Sequence, residues 1–493
     1  MTKIELSKTG PDGLEEAYFK RGSFSHITGN RIKILPFTTK YSKDCDLDFR
    51  MFQGIVGECF RISNNTSFTK ELVKDKENSF KKKLRNYIID KALKKVDTDK
   101  TEDLEEVIIH LFFEDDGALI KFNNKMLPYM HFISEHSMLK ETSAFIYDIF
   151  LTNDLLNQDS LTHSLNDNLF YKLIVECLPP LEPKPKSTEK LLYTDLLIEI
   201  TELFRKDLNF LASKNELLLN HIEDLFKYYY FFYLSQLAIR LNTFGESKTL
   251  NPIYFSMDWE TLSETRPSYN FGWKKIVYDL ENLFAHANTI ELLNFITING
   301  ENIGDYSSIV IYFKELTNPE QEILINKIKE LSNFYKPQIE ALKSPFKALE
   351  NWEKCERILP SSLKNKKFNN EIQEELYSLF YRINYQFKNS GRDKPYNDYA
   401  SWLIQFCKIN YTKTRGRLGS TTVINQETLL FFTKICIADN EKIRLKELWN
   451  ELEQRGLTFD EASKVEIVKL FERINLLEKK SDSGDAQYVK SII

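Results

Sequence analysis

Residues 421–493 decide the fold of the C-terminal region, and they read TTVINQETLLFFTKICIADNEKIRLKELWNELEQRGLTFDEASKVEIVKLFERINLLEKKSDSGDAQYVKSII. Asn425 is a favourable N-cap for a first helix. Behind it the apolar residues recur at i, i+3 and i+7, at Leu429, Phe432 and Cys436. A second helix is predicted from apolar residues at i, i+3, i+4 and i+7, which are Leu445, Leu448, Trp449 and Leu452. Gly456 stands where a left-handed residue would end that helix.

A third helix and a hairpin are predicted to follow. Thr458 and Ser463 each precede a glutamate by three residues, as in a capping box, and both starts stay open. The inward face of this helix carries Ile467, Leu470, Phe471 and Ile474. Two strands, 476–480 and 486–492, flank the turn formers at 481–485. Three helices followed by a hairpin predict a winged-helix module at 421–493.

A winged helix usually places its third helix in the DNA major groove, with cations on the phosphates. The candidate cations on this helix and the wing are Lys464, Lys469, Arg473, Lys479 and Lys480. Glu466 and Glu472 share the outward face of the helix and would repel phosphates. Residues 421–493 hold 11 Lys and Arg against 13 Asp and Glu, a net charge of −2. DNA contact and protein docking therefore both stay open for this module.

The segment just before the module, YTKTRGRLG at 411–419, is more basic. Its cations Lys413, Arg415 and Arg417 are separated by small and polar residues. We expect a flexible basic arm over 411–420 that lies along DNA phosphates. The alternative, a solvated linker without a ligand, stays open.

Two stretches of this region resemble a known family. GRLGSTTVINQE at 416–427 and NLLEKKSDSGDAQYV at 475–489 are similar to the C-terminal region of DptG, the G subunit of the bacterial DNA phosphorothioation-dependent restriction system. MDWE at 257–260 and RPSY at 266–269 also resemble that family. The resemblance implies a subunit that works with two companions, DptF and DptH, in a phage-defence complex that attacks DNA lacking the sulfur modification. It brings no catalytic motif with it.

Composition predicts a cytoplasmic protein with several domains. The chain has 493 residues, 42% of them hydrophobic, which is enough for sizeable cores and two to four domains. Its net charge of −5 means that any contact with duplex DNA is local rather than spread over the surface. Residues 1–13 are polar and lack the apolar core of a signal peptide. The longest apolar run, 228–239, is too short to cross a bilayer, so we expect no membrane contact.

The fold class predicted from these patterns is mainly α-helical and multi-domain, with a small mixed α/β or β-rich N-terminal element and the C-terminal winged helix. Short runs such as 54–62 favour strands near the N-terminus. The prolines of 179–187 predict a linker that is neither helix nor paired strand, and 251–272 has loop character. The predicted units are a strand and loop element at 1–75, a helical domain at 76–178, the linker at 179–187, a helical domain with a long hairpin at 188–410, the basic arm at 411–420 and the module at 421–493.

Two further stretches have a functional and a structural interpretation. A second basic patch, formed by Lys81, Lys82, Lys83 and Arg85, would touch phosphates or form a solvated helix face balanced by the acids at 102–106; the second interpretation is favoured. The aromatic run at 228–233 would stack on bases or form a helical core. Core is favoured, because few cations are interleaved with the rings.

The sequence shows no convincing motif for nucleotide binding, metal binding or nuclease activity. It contains no G-x-x-x-x-G-K-[ST] loop, so ATP hydrolysis is expected in another subunit, and no nucleotide cofactor is predicted. The six cysteines contain no C-x-x-C pair, and no metal site is predicted. Asp460 followed by Glu478-Lys479-Lys480 matches the pattern of metal-dependent nucleases, an acid and then acid-x-Lys, but a match this short is expected by chance. We expect a non-catalytic adaptor or DNA-contacting subunit; the alternatives are a stand-alone winged-helix regulator and a divergent nuclease subunit.

Overall fold

A computed structural model of the chain describes residues 2–8, 13–19, 24–73, 78–96, 99–133, 137–151, 168–184, 191–246, 249–340, 345–389, 393–479 and 487–491. The helices of the described residues are α1 Leu14–Tyr18, α2 Asp46–Met51, α3 Gln53–Ser63, α4 Lys70–Val73, α5 Asn78–Lys95, α6 Thr101–Phe112, α7 Ser137–Phe150, α8 Leu169–Cys177, α9 Ile198–Ala212, α10 Asn215–Leu241, α11 Pro267–Asn270, α12 Trp273–Leu280, α13 Leu283–Leu293, α14 Tyr306–Glu315, α15 Asn318–Glu340, α16 Pro345–Lys364, α17 Glu371–Asn389, α18 Asp393–Tyr411, α19 Gln426–Ile437, α20 Leu445–Gln454 and α21 Glu461–Arg473. The strands are β1 Ile4–Leu6, β2 Thr66–Ser67, β3 Glu182–Pro183, β4 Tyr254–Met257, β5 Ile296–Ile298, β6 Glu301–Asn302, β7 Thr412–Thr414, β8 Ser420–Ile424, β9 Lys442–Arg444, β10 Thr458–Phe459, β11 Leu477–Lys479 and β12 Gln487–Lys490. The fold is therefore mainly α-helical with minor strands, as predicted.

Helix α10 is the centre of the molecule. A helix that is apolar on every side is stable only when it is buried all round. The six aromatic side chains of 228–233 are each 1% exposed or less. They pack against rings from other elements, for example Tyr228 against Phe432 at 4.4 Å between ring centroids. The interpretation of this run as helical core is confirmed.

The buried apolar residues form two clusters. The larger runs from Leu14 to Val489 and takes side chains from both ends of the chain. The smaller lies within 68–177 and is built mainly on α5, α6 and α8. Helix α7 belongs to the larger cluster, through residues such as Phe145 and Ile149. The predicted helical domain at 76–178 therefore contributes to two cores rather than one.

The C-terminal residues form helices and strands in the predicted order. Helices α19, α20 and α21 are followed by β11 and β12. These two strands pair antiparallel, and β12 also pairs antiparallel with β9, which gives a three-stranded sheet in the order β11, β12, β9. The turn at 481–485 lies outside the described residues. Assignment of this arrangement to the winged-helix class stays a prediction.

A second sheet joins the C-terminal residues to the helical body. Strand β4 pairs in parallel with β8 on one side and with β10 on the other, and β7 completes the sheet by pairing antiparallel with β8. Two predictions are wrong here. The segment 251–272 contains β4 and α11 rather than loop alone, and 411–420 is a β-hairpin rather than a flexible arm. Each of these strands is too short to show the alternating apolar pattern of a strand in the sequence. Its stability comes from the strands with which it pairs.

Three further predictions are corrected. Residues 54–62, expected as a strand, lie in helix α3, where Ile55, Val56 and Phe60 are buried on one side. Residues 182–183 of the predicted linker pair with 66–67, so this part of the linker is a paired strand. Neither candidate cap begins the third helix. The N-cap of α21 is Asp460, whose side chain accepts a hydrogen bond from the Ser463 backbone N–H.

Candidate functional site

The cations predicted on the third helix and the wing mostly have acidic partners. Three exposed or half-exposed ammonium groups pair with nearby glutamates: Lys464 with Glu461 at 3.0 Å, Lys469 with Glu466 at 2.8 Å and Lys479 with Glu472 at 2.5 Å. Arg473 is exposed and forms no ion pair with a described residue. Lys480 lies outside the described residues. The outward surface of α21 is thus close to neutral.

One row on α21 remains open to solvent. Val465, Lys469 and Arg473 follow each other at intervals of four residues, which places them on the same side of the helix. All three are exposed, and Val465 is 53% exposed. We call this row the α21 outer row. Glu461, Ala462 and Glu472 are exposed as well, but the row carries the exposed cations of the helix.

The N-cap residue of α21 is bound by side chains from a distant part of the chain. Asp460 is 6% exposed and accepts two hydrogen bonds from the Arg266 guanidinium, from Nε at 3.0 Å and from Nη2 at 2.6 Å. Ser268 adds its backbone N–H and its hydroxyl, at 3.2 and 2.7 Å. Helix-turn-helix proteins use the first residues of this helix to contact base edges. Here the N-cap Asp460 and Ser463 bond to residues 266–268, whereas Glu461 and Ala462 of the first turn are exposed.

A second carboxylate completes this junction. Glu260 is 5% exposed; its Oε2 accepts from Arg266 Nη2 at 2.7 Å and from the Ser463 hydroxyl at 3.0 Å. Burial acts to raise the pKa of Asp460, but the hydrogen bonds from Arg266, Ser463 and Ser268 outweigh it and hold that pKa well below its usual range. Asp460 is therefore ionised at neutral pH, and it shares the Arg266 guanidinium with Glu260.

The cations of the predicted basic arm are largely committed to the fold. Arg415 donates to the backbone carbonyls of Met257 and Glu260, and its Nε donates to the Thr421 hydroxyl at 3.0 Å. Lys413 donates to the Asp258 carbonyl at 2.8 Å. Lys413 and Arg417 are both exposed, and neither forms an ion pair with a described residue. Of the expected three-cation phosphate contact, Arg415 is bound within the fold, Lys413 is partly engaged and Arg417 remains available.

Three of the four segments with the predicted family resemblance lie together at this junction. Met257 pairs with Ile424 in the register of β4 and β8, which joins 257–260 to 416–427. Arg266, from 266–269, bonds Asp460 at the start of α21, and α21 leads into the strand that begins the 475–489 stretch. Segments far apart in sequence are thus brought to one place.

Another buried ion pair fixes the module to the core. Arg455 donates to both oxygens of Asp207, from Nε at 2.9 Å and from Nη2 at 2.7 Å, and both side chains are at most 2% exposed. The Tyr229 hydroxyl donates to Asp207 at 2.6 Å. None of Asp207, Glu260, Arg266 and Arg455 was predicted from the sequence. Glu260 and Arg266 lie in two of the segments with the family resemblance, whereas no local pattern marks Asp207 or Arg455.

The second basic patch behaves as a helix surface. Lys81 pairs with Asp116 at 2.6 Å, and Lys83 donates to the Glu71 carbonyl at 3.2 Å. Lys82 is exposed, whereas Arg85 is half-buried. The acid at Lys81 is thus Asp116 rather than one of those at 102–106. The four residues do not present a single free cationic surface.

No protein family model matches the chain, and no curated protein matches it significantly in sequence. Among the residues that the structure describes, no group of three or more His, Cys, Asp and Glu side chains is placed to hold a metal ion. The two acids with nuclease lettering are both engaged, since Asp460 bonds Arg266 and Glu478 bonds Lys442 at 2.8 Å. Within the described ranges, no helix is both long and apolar enough to span a bilayer.

Proposed function

We propose that this chain is a non-catalytic, DNA-contacting adaptor of a cytoplasmic phosphorothioation-dependent restriction complex. Its helical body docks the companion subunits DptF and DptH, and its C-terminal module, a winged helix, contacts duplex DNA. The observation that carries the proposal is the junction built by Arg266 and Asp460, where three of the four segments that resemble the DptG family meet.

The junction supports an adaptor because it fixes the orientation of the module. Two buried ion pairs, Arg266 with Asp460 and Arg455 with Asp207, join the module to separate parts of the body. The sheet of β4, β8 and β10 adds main-chain hydrogen bonds between them. Because the module is held at three places, a movement of the body is transmitted to bound DNA, and a movement of the DNA is transmitted to the body.

The start of α21 supports contact with phosphates rather than with bases. Asp460 and Ser463 are held by Arg266, and the exposed Glu461 is already paired with Lys464. In contrast, the cations of the α21 outer row and Arg417 face solvent. Exposed Lys–Glu pairs are worth only about 0–1 kcal/mol, so a phosphate can replace the glutamate as the partner of Lys469 at little cost. DNA binding of this kind is independent of sequence and weakens steeply with salt.

Co-expression tests the adaptor role. The full chain is produced with DptF and DptH, and the complex is isolated by a tag on this chain alone. The proposal expects the three proteins to elute together and to retain unmodified duplex DNA. A chain that elutes alone and prefers one operator sequence would instead favour the regulator. Mg²⁺-dependent nicking by this chain alone would favour the nuclease.

A further inference from the structure

A cavity of about 410 Å³ opens in the helical body, away from the C-terminal module. Its walls come from α12, from the C-terminal end of α16 and the residues after it, and from α17. The lining side chains that matter most are Tyr278, Asp279, Lys366, Tyr381, Asn384 and Lys388. Cavities of this size hold small organic ligands. None of these residues was singled out in the sequence.

Asp279 is the unusual group in this cavity. It is 8% exposed, yet its carboxylate forms no hydrogen bond or ion pair with any residue in the described ranges. Buried carboxylates are normally paired or hydrogen-bonded, because burying a bare charge is costly. Burial raises the pKa of Asp279 to about 6, although Lys275 and Lys366 act to lower it. The Asp279 carboxylate therefore accepts no hydrogen bond from a residue in the described ranges.

Two lysines bring positive charge to the same cavity. The Lys366 ammonium lies 4.6 Å from the centroid of the Tyr377 ring and 5.1 Å from that of Phe244. The Lys388 ammonium lies 5.7 Å from the centroid of the Tyr396 ring. Neither lysine forms an ion pair with a described residue, and burial lowers the pKa of each. Asp279 and Glu246 act on Lys366, and Glu281 acts on Lys388, without forming an ion pair with them. Cations held over aromatic faces in this way attract an anion.

One wall of the cavity is aromatic. Tyr377, Tyr381 and Tyr385 stand at intervals of four on α17, with ring centroids 6.0 and 6.3 Å apart and ring planes tilted by 43° and 31°. Two amides lie beside them. The Tyr396 hydroxyl lies 3.2 Å from Oδ1 of Asn282 and 3.0 Å from Oδ1 of Asn384, and its single hydrogen is shared between these acceptors. The cavity thus presents an acceptor, a stacking surface and a cationic group.

We propose that this cavity binds a small nucleotide, of which a guanine mononucleotide matches the three features best. The adjacent N–H groups on one edge of guanine donate to the Asp279 carboxylate, which can only accept. The base lies against the tyrosines of α17, and the phosphate is bound by Lys366 and Lys388. A carboxylate that merely balances the lysines would pair with them, and Asp279 pairs with neither.

Calorimetric titration of the full-length protein with GMP, AMP and guanosine tests the site without any DNA present. GMP is expected to bind about tenfold more tightly than AMP, because adenine presents a single amino donor beside a ring acceptor. Guanosine is expected to bind more weakly than GMP, because it lacks the phosphate. A 5′-phosphorylated oligonucleotide that competes with GMP would assign the site to a nucleic-acid end, and failure to compete would assign it to the free nucleotide.

Variants locate the binding. Asp279→Asn keeps the shape but replaces the acceptor, and about a tenfold loss of GMP affinity is expected. Lys388→Ala, at the exposed rim, is expected to weaken GMP but not guanosine, and Lys314→Ala on α14 is the matched control that changes neither. Arg473→Glu, on the outer row of α21, is also expected to leave GMP binding intact, which separates this site from DNA contact. No binding of GMP at millimolar concentration, or unchanged affinity in both cavity variants, would overturn the proposal.

Discussion

Arg266 and Asp460, separated by 194 positions in the chain, form a bidentate ion pair with donor–acceptor distances of 3.0 and 2.6 Å. Glu260 shares the same guanidinium. We predict that Arg266→Leu lowers the free energy of unfolding by about 3–5 kcal/mol, because it leaves two buried carboxylates without their cation. Denaturant unfolding of the purified protein measures this loss.

The control is Lys464→Ala, which breaks the exposed pair with Glu461 and should cost no more than about 1 kcal/mol. The pH dependence follows from the lowered pKa of Asp460. A carboxylate with a folded pKa below its unfolded value contributes stability that is complete above about pH 4 and is lost as the pH falls. The difference in unfolding free energy between wild type and Arg266→Leu should therefore become smaller as the pH falls. If Arg266→Leu and Lys464→Ala lost the same unfolding free energy, the buried junction would be contradicted.

The pair of Arg455 and Asp207 predicts strong coupling in a double-mutant cycle. Either single change, Arg455→Met or Asp207→Leu, leaves one buried charge and should cost about 3–5 kcal/mol. The double variant removes both charges and should cost clearly less than the sum. Unfolding free energies of the four proteins give the coupling, and strictly additive losses would show that the two groups do not interact.

Gly456 permits a close approach that another residue would block. Its φ is +79°, and an added Cβ would lie 2.2 Å from Cε2 of Phe232 in α10. Gly456→Ala should therefore cost about 1 kcal/mol for backbone strain and about 1–3 kcal/mol more for overpacking. Gly300→Ala is the matched control, since φ is +87° there and nothing lies within 4 Å. Thermal unfolding that ranks the two variants as equal would contradict the contact with Phe232.

Asp279 should reduce stability at neutral pH. Its folded pKa of about 6 lies above the ordinary value, so its proton is held more tightly in the folded state and stability falls as the pH rises through that range. Replacement by Asn removes this cost. Asp279→Asn should raise the unfolding free energy by at most roughly 3 kcal/mol near pH 7 and by little near pH 4. Lys275 and Lys366 face this carboxylate and act to lower its pKa. A gain that does not depend on pH would argue against the unpaired carboxylate.

The sequence predicted elements whose signals are local. Helix α10 begins at Asn215 and ends at Leu241, as the long apolar pattern indicated, and Gly456 is left-handed as expected. Helix α3 was misread because its run of Gly, Ile and Val is equally compatible with a short buried strand. Strand β4 was missed because four residues carry no periodicity, and its stability comes from β8 and β10.

The candidate site depended even more on distant partners. Lys413 and Arg415 read as free cations because the carbonyls that bind them, at Met257, Asp258 and Glu260, lie more than 150 positions away. Asp279 was not singled out in the sequence, because nothing local to α12 shows that it lines a cavity with residues of α16 and α17. In contrast, Tyr377, Tyr381 and Tyr385 do carry a local signal, a spacing of four that aligns their rings on one side of a helix.

The salt dependence of duplex binding tests the central claim most directly. Affinity of the full chain for unmodified duplex DNA is measured across salt concentrations, and the slope of log K against log salt gives the number of phosphates contacted. We predict a clear negative slope for the wild-type chain, and a slope shallower by about 2 for the Arg417→Glu, Arg473→Glu double variant. The control is Arg444→Glu, which changes another exposed arginine, on β9 and outside the α21 outer row. Its slope should stay within about 1 of wild type. No duplex binding at low salt, or a slope unchanged by the double variant, would contradict the account.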